Sequence, residues 1–180
     1  MDFENRLAWS IILANAGAGP TMADGQTLFH AAKHGNTVAT GAGININSVD
    51  VARQALRNQK SLDGVPLNVV PVTLVCGPAK QLEAEQLLST NLLATQLSNI
   101  NVFATKLDLV VDAYITDASW YVFADVGAVP IFTWGFVDGF EGPRFALDQP
   151  VKQDGLALKV VEDFGFGAID YRGAFRTPAA

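Results

Sequence analysis

Two histidines are the first residues whose spacing could support chemistry. His30 and His34 are the only histidines in the chain and lie four residues apart. On a helix this spacing would place both imidazoles on one face, where they could bind zinc. However, no glutamate follows His30, as the helical metalloprotease motif requires, and Gly35 directly after His34 disfavours a continuing helix. The sequence therefore predicts a turn-rich loop or hairpin from Asp24 to Asn36, without a metal site.

A pair of adjacent acids, Glu162 and Asp163, could serve acid–base catalysis. The preceding run alternates in a way that is typical of a strand, and neighbouring side chains of a strand point to opposite faces, so the two carboxyl groups would not converge. The triplet from Asp163 to Gly165 matches the metal-binding signature of protein kinases, but the other kinase motifs are missing around it. We predict no catalytic residues and no enzymatic activity, with a small uncharacterised enzyme as an alternative.

Two further features could suggest a reactive or phosphate-binding site. Cys76 is the single cysteine, which excludes an internal disulfide and a cysteine-cluster zinc site, and its apolar surroundings predict a buried thiol. Gly41 and Gly43 lie close together, but no Gly-Lys-Ser/Thr ending follows them, so they predict a flexible connection rather than a phosphate loop. The sequence predicts no cofactor.

The composition limits the possible partners. The chain has 180 residues, of which 49% are hydrophobic and 17% charged, which is enough for one substantial domain or two lobes with a shared core. The net charge of -6 disfavours a general nucleic-acid-binding surface. No apolar run reaches the roughly 18 residues that a membrane span requires, and the acidic start is unlike a secretory signal. We expect a protein made in a reducing cytoplasm, with no membrane partner and no sequence-specific nucleic acid.

Apolar periodicity predicts two clear helices in the first half of the chain. The first covers residues 2–14, with an apolar face that consists of Phe3, Leu7, Ala8, Ile11 and Ile12. The second starts with Ser48 as its cap and extends to about Lys60, with Val49, Ala52 and Leu56 on its buried face.

Strands dominate the second half of the predicted fold. Residues 67–76 predict a strand that Pro71 confines to an edge or a bulge, and Gly77-Pro78 starts a helix buried through Leu82, Leu87 and Leu88. Further strands are predicted from residue 107, over 120–125 and over 131–137, followed by a loop over 140–153. The run from Leu156 to Val161 predicts a buried terminal strand, which Gly165 and Gly167 interrupt with a bulge or bend.

Several ordered segments resemble the Mu-like phage major head subunit family. Residues 159–175, Lys-Val-x-x-Asp-Phe-Gly-x-Gly-x-x-Asp-Tyr-Arg-Gly-Ala-Phe, resemble its carboxy-terminal ending. A more specific match joins Asp-Gly-x-x-Leu-Phe at 24–29 with His-Gly-Asn at 34–36. Similar segments lie at 52–60, 64–67, 77–78, 107–112 and 120–121, in the same order and at comparable spacing.

This resemblance implies an α+β fold of the Hong Kong 97 capsid type, with an axial lobe and a peripheral lobe. Residues 1–47 would form the end of a long helix and a peripheral hairpin, 48–138 the axial lobe, and 139–180 the return to the peripheral lobe. We expect the chain to correspond to the carboxy-terminal portion of such a subunit, or to a shortened prophage relative, without the amino-terminal arm and extended loop.

The implied function is structural. A major capsid protein assembles with copies of itself into capsomers, with a scaffold or protease as further partners, and encloses DNA in the virion after synthesis in the host bacterial cytoplasm. An encapsulin-like nanocompartment shell is the closest alternative. The family's loop after the leucine-rich helix reaches toward the capsomer axis, which makes Leu92, Leu93 and Phe103 candidate subunit contacts. Burial of these residues in a longer core helix is an equal alternative.

Overall fold

The computed structural model describes residues 2–89, 103–104, 106–139, 141–148 and 157–179. Three α-helices and eight β-strands lie in these residues, which agrees with the predicted α+β class. The helices are α1 (Asp2–Ile12), α2 (Ile46–Arg57) and α3 (Gln81–Leu88), with 3-10 turns at Pro78–Lys80 and Val137–Gly139. The strands are β1 (Pro71–Cys76), β2 (Asp108–Val111), β3 (Trp120–Ala124), β4 (Phe132–Phe136), β5 (Arg144–Asp148), β6 (Ala157–Val161), β7 (Phe164–Ala168) and β8 (Ala174–Thr177).

Four strands form the central sheet, in the order β2-β1-β3-β8. β1 and β2 are parallel, whereas the β1–β3 and β3–β8 pairs are antiparallel. Leu74, Val122 and Phe175 lie side by side across three of the strands, and all three are buried. Their neighbours Val75 and Tyr121 are also buried, and they point to the opposite face because side chains alternate along a strand. Other elements therefore cover both faces of this part of the sheet.

The two faces of the sheet carry two hydrophobic cores. One core lies against α2 and α3 and includes Ile44, Val49, Ala52, Leu56, Leu74, Ala84, Leu87, Trp120, Val122 and Phe175. The other lies against α1 and the loop before α2 and includes Trp9, Ile12, Leu28, Phe29, Val75, Ile115, Tyr121, Ile131 and Ala174. Both ends of the described chain thus pack on one sheet. The division into lobes at residues 47 and 138 stays a prediction.

The first predicted helix is confirmed as α1, but its buried face differs from the prediction. Trp9 and Ile12 are buried against the sheet, whereas Phe3 is exposed. The indole N–H of Trp9 donates a hydrogen bond to Asp112 Oδ2 at 2.7 Å, so the ring is buried with its polar atom satisfied. Of the predicted stripe, Ile12 is buried, Leu7, Ala8 and Ile11 are half-buried, and only Phe3 is exposed, since the helix turns Trp9, outside that stripe, toward the sheet.

The second predicted helix is confirmed as α2, with its three predicted core residues buried. Its N-cap is Asn45 rather than the predicted Ser48. The side chain of Asn45 accepts a hydrogen bond from Ser48 N at 3.0 Å, and Ser48 Oγ accepts one from Asn45 N at 3.0 Å. This reciprocal pair is a capping box, in which Ser48 takes the third helical position instead of the cap.

The segment from β1 to α3 corrects two further expectations. β1 begins at Pro71, which has no backbone N–H to donate, and a register shift between Pro71 and Thr73 confirms the predicted bulge. The strand is not an edge strand, however, because β2 and β3 lie on either side of it. In α3, Leu87 is buried as predicted, but Leu82 is exposed and Ala84 takes its place in the core.

The carboxy-terminal part departs most from the prediction. The predicted loop over 140–153 contains β5, which pairs with β6 in a two-stranded ribbon. Leu158 and Val160 of β6 are exposed rather than buried, so the expected buried terminal strand over 156–161 was wrong. Gly165 and Gly167 lie in unbroken register with β4, without the expected bulge. The buried terminal strand is instead β8, which lies at the edge of the central sheet.

Candidate functional site

His34 is a buried structural residue. Its Nδ1 lies 3.0 Å from the carbonyl oxygen of Leu28, and its Nε2 lies 2.8 Å from Oδ2 of Asp24. Its ring stacks on Tyr171 with a centroid distance of 3.8 Å and an interplanar angle of 8°. Gln59 Nε2 donates to the His34 carbonyl oxygen at 2.8 Å. Both ring nitrogens face oxygen acceptors, which leaves neither of them free to ligate a metal.

The second histidine, His30, does not combine with His34 into a metal centre. The two ring centroids are 6.1 Å apart, and His30 Nδ1 accepts a hydrogen bond from Lys33 N at 3.1 Å. Within the described ranges, no group of three histidine, cysteine, aspartate or glutamate side chains could hold a metal ion. The segment forms turns with one short bridge between Thr21 and Thr27, in agreement with the predicted loop or hairpin.

Asp24 is held as a carboxylate by its neighbours. The hydrogen bond with His34 is the main cause that lowers the pKa of Asp24 below its usual value, and a hydrogen bond from Gln26 N at 3.1 Å acts in the same direction. The carboxylate therefore binds two parts of its own loop, the backbone N–H of Gln26 and the imidazole of His34. Its role is conformational, because it fixes the turn around Gly25.

The adjacent acids Glu162 and Asp163 lie between β6 and β7, and their carboxyl groups have different environments. Asp163 forms an ion pair with Arg144. Oε1 of Glu162 is buried and has no hydrogen-bond partner among the residues that the structure describes. The two carboxyl groups are thus not arranged as an acid and a base around a shared substrate position.

The cysteine is part of the core, and the glycine pair lies half-buried beside it. Cys76 is fully buried, and burial raises the pKa of its thiol, which disfavours the reactive thiolate. The carbonyl oxygen of Ala42 accepts a hydrogen bond from the indole of Trp120 at 2.8 Å, and that of Gly43 accepts one from Ser48 Oγ at 2.7 Å. The segment between Gly41 and Gly43 therefore connects the sheet to α2, and it shows no phosphate-loop geometry.

Of the three candidate subunit contacts, the structure describes only Phe103. Its side chain is 2% exposed and belongs to the core beside α2. The guanidinium carbon of Arg53 lies 5.0 Å from the ring centroid, within the range of a cation–π contact. Leu92 and Leu93 lie outside the described residues. The contact role of all three remains a prediction, and Phe103 could influence a partner only indirectly, through the core.

The ribbon of β5 and β6 carries an apolar surface that the sequence did not identify as exposed. In the antiparallel register, Phe145 lies opposite Val160 and Leu147 lies opposite Leu158. Since side chains alternate along each strand, all four lie on one face, which we call the apolar ribbon face. Their exposed fractions are 69%, 53%, 70% and 64%, respectively. A sequence signal for this surface existed in the alternation of residues 157–161, but it did not reveal that the face is uncovered.

A second apolar surface lies where α1 meets the pair of β4 and β7. Trp134 is opposite Phe166, and Phe136 is opposite Phe164 with a centroid distance of 5.4 Å. These four rings and the first turns of α1 line a groove of about 490 Å³. The indole of Trp134 is largely exposed. Exposed apolar patches of this kind mark interaction sites or ligand-binding grooves.

The described part of the chain thus combines two hydrophobic cores with exposed apolar surfaces. The family model described as phage capsid protein matches residues 1–177. The chain therefore belongs to the phage capsid protein family, and as a major capsid protein it is a structural component of the phage head. Membership of this structural family implies a role other than catalysis. Membership also implies association with other copies in capsomers and a place in the virion.

A comparison with curated proteins gave no match. Across the described part of the chain, no helix has both the length and the apolar character required to cross a membrane.

Proposed function

We propose that the chain is the major head subunit of a Mu-like phage or prophage, and that it self-assembles into an icosahedral head that encloses DNA. The observation that carries this proposal is the match of the phage capsid model to residues 1–177. Within the phage capsid family, the ordered motifs favour the Mu-like head subunits, because the segments at 24–36 and 159–175 resemble those subunits.

The two segments that carry the Mu-like resemblance contact each other in the structure. Asn36 donates hydrogen bonds to the carbonyl oxygens of Leu28 at 2.9 Å and Tyr171 at 3.2 Å. The backbone N–H of Arg176 donates to the Asn36 carbonyl oxygen at 3.0 Å. Motif residues 135 positions apart in sequence thus meet at one joint. We further propose the Hong Kong 97-type fold for the subunit, with the axial and peripheral lobes divided near residues 47 and 138.

The negative net charge suits a shell that holds DNA by enclosing it rather than by binding it. With 18 acidic and 12 basic side chains, the subunit carries a net charge of -6, so a general attraction to the phosphate backbone is not available. We propose that scaffold and protease proteins act during head assembly, and that the subunit is made in the host bacterial cytoplasm before it enters the virion.

Expression of the chain together with the products of neighbouring head genes tests this function. We expect electron micrographs to show closed icosahedral particles whose main protein is this chain. The matched control is the same set of genes without it, which should give no closed particles. Particles that form equally well in the control would contradict the proposal. Closed particles that load a cargo enzyme in place of DNA would support the nanocompartment alternative instead.

A further inference from the structure

The apolar ribbon face is separated from the charges of the same ribbon. Phe145, Leu147, Leu158 and Val160 point to one side, and the alternation of each strand directs Arg144 and Lys159 to the other. Arg144 is also engaged with Asp163. The uncharged face therefore has the pattern of a sheet surface that a second layer covers.

No described residue of the chain provides that layer. The four side chains belong to neither hydrophobic core, and β5 and β6 make their main contacts with each other. A two-stranded hairpin alone is marginally stable in water, and its stability usually depends on packing of its apolar face. An external cover would thus stabilise the ribbon as well as remove apolar surface from water.

We propose that the apolar ribbon face of one subunit packs on the same face of a second copy, an inference that rests on the proposed head-subunit function. A second copy presents the same uncharged surface, so two subunits with a net charge of -6 each can meet here without opposing like charges inside the contact. Such a contact is isologous, with each residue of the face available to both partners.

The size of the face fits one weak contact among several. It consists of four exposed apolar side chains, whereas each partner of a stable interface typically buries roughly 800 Å² and about 20–30 residues. A single pair of subunits would therefore associate weakly. In a closed shell the same contact gains strength because the other interfaces hold the two faces near each other.

Charge substitution in the centre of the face tests the pairing. In sedimentation velocity runs over a range of concentrations, Leu147→Glu should raise the dissociation constant for self-association by about tenfold or more, because it buries an unpaired charge. The matched control is Leu62→Glu, which makes the same change at a side chain that is 94% exposed and far from the ribbon in sequence. It should associate as the wild type does. Circular dichroism establishes that both variants are folded.

A mixing experiment distinguishes like-face pairing from a contact with another surface. Leu147→Lys alone should weaken association to a similar extent, whereas an equimolar mixture with Leu147→Glu should recover association through opposite charges across the interface. Unchanged association of Leu147→Glu, or equal weakening by the Leu62 control, would overturn the proposal. Loss without recovery in the mixture would show that the face meets a different surface, and would overturn like-face pairing as well.

The two proposals fail separately. If Leu147→Glu subunits still form normal heads with the neighbouring gene products, the face pairing is wrong and the head-subunit function stands. If wild-type subunits form no heads in that experiment, the function is wrong whatever the ribbon does.

Discussion

The rings of His34 and Tyr171 lie parallel at a centroid distance of 3.8 Å, which joins the loop before α2 to the turn before β8. Asn36 reinforces this joint with hydrogen bonds to both sides. The histidine that suggests metal chemistry when it is considered alone therefore orders the approach of the last strand to the central sheet. Since β8 covers one edge of β3, the joint contributes to the core itself.

We predict that Asn36→Ala destabilises the chain. The side chain is fully buried, donates to two carbonyl oxygens and accepts from His30 N at 2.9 Å. Its removal leaves buried groups without partners, which typically costs about 1–3 kcal/mol in the free energy of unfolding. Urea denaturation measures the change. Asn47→Ala, at an exposed position of α2, is the control and should stay within about 0.5 kcal/mol of the wild type. Equal effects of the two substitutions would contradict the structural role of the joint.

The Asp24 carboxylate should make part of the chain's stability sensitive to acid, through its hydrogen bond with His34. Its pKa is lowered in the folded state, chiefly by the hydrogen bond with His34. A carboxyl group with a lowered pKa contributes stability above its unfolded pKa of about 3.9, and this contribution is lost as the pH falls through the folded value. Asp24→Asn should therefore be less stable than the wild type at pH 5, and the difference should shrink as the pH falls below about 4.

Thermal denaturation of the wild type and of Asp24→Asn, at several pH values between 5 and about 3, measures this difference in stability. Asp163→Asn is a useful comparison, because it removes a carboxylate that pairs with Arg144 in the ribbon and not with the joint. A wild-type advantage at Asp24 that persists unchanged in acid would show that the carboxylate charge does not contribute.

The sequence predicted the helices well because their stabilising interactions are local. Val49, Ala52 and Leu56 repeat with helical spacing, and all three are buried in α2. The cap was misplaced by three residues because Asn45 and Ser48 both have side chains that can cap, and only the geometry of the reciprocal hydrogen bonds decides between them.

The strands were harder to predict because their burial depends on distant partners. The alternation from residue 157 to 161 correctly indicated a strand with one apolar face, but alternation does not specify which surface covers that face. Conversely, β8 is short and contains Arg176, so it offers little pattern, although its pairing with β3 buries Ala174 and Phe175. The histidines and the adjacent acids show a related limit, because neither histidine spacing nor adjacent acids determine which groups converge in space.

The corrected role of the last strand leads to a prediction at Phe175. This side chain is 1% exposed in the core against α2 and α3, so Phe175→Ala should lower the free energy of unfolding by about 3–5 kcal/mol. Leu158→Ala, on the exposed ribbon, should change the stability of the monomer by less than about 1 kcal/mol. Chemical denaturation at low protein concentration compares the two. A larger loss for the Leu158 variant would restore β6 as the buried terminal strand.

Substitutions at Phe103 and Phe145 should affect different properties, the stability of the monomer in the first case and the association of subunits in the second. Phe103 is enclosed by the subunit's own core and by Arg53, so Phe103→Ala should lower the free energy of unfolding of the monomer by about 3–5 kcal/mol, at every protein concentration. Phe145 is 69% exposed, so Phe145→Ala should leave the monomer nearly unchanged and weaken the concentration-dependent association of subunits. Denaturation and sedimentation on the same two variants give both quantities. If the Phe103 variant instead kept its stability and lost association, the ring would be a direct subunit contact, and the core position found here would not be the one that it takes in the assembled head.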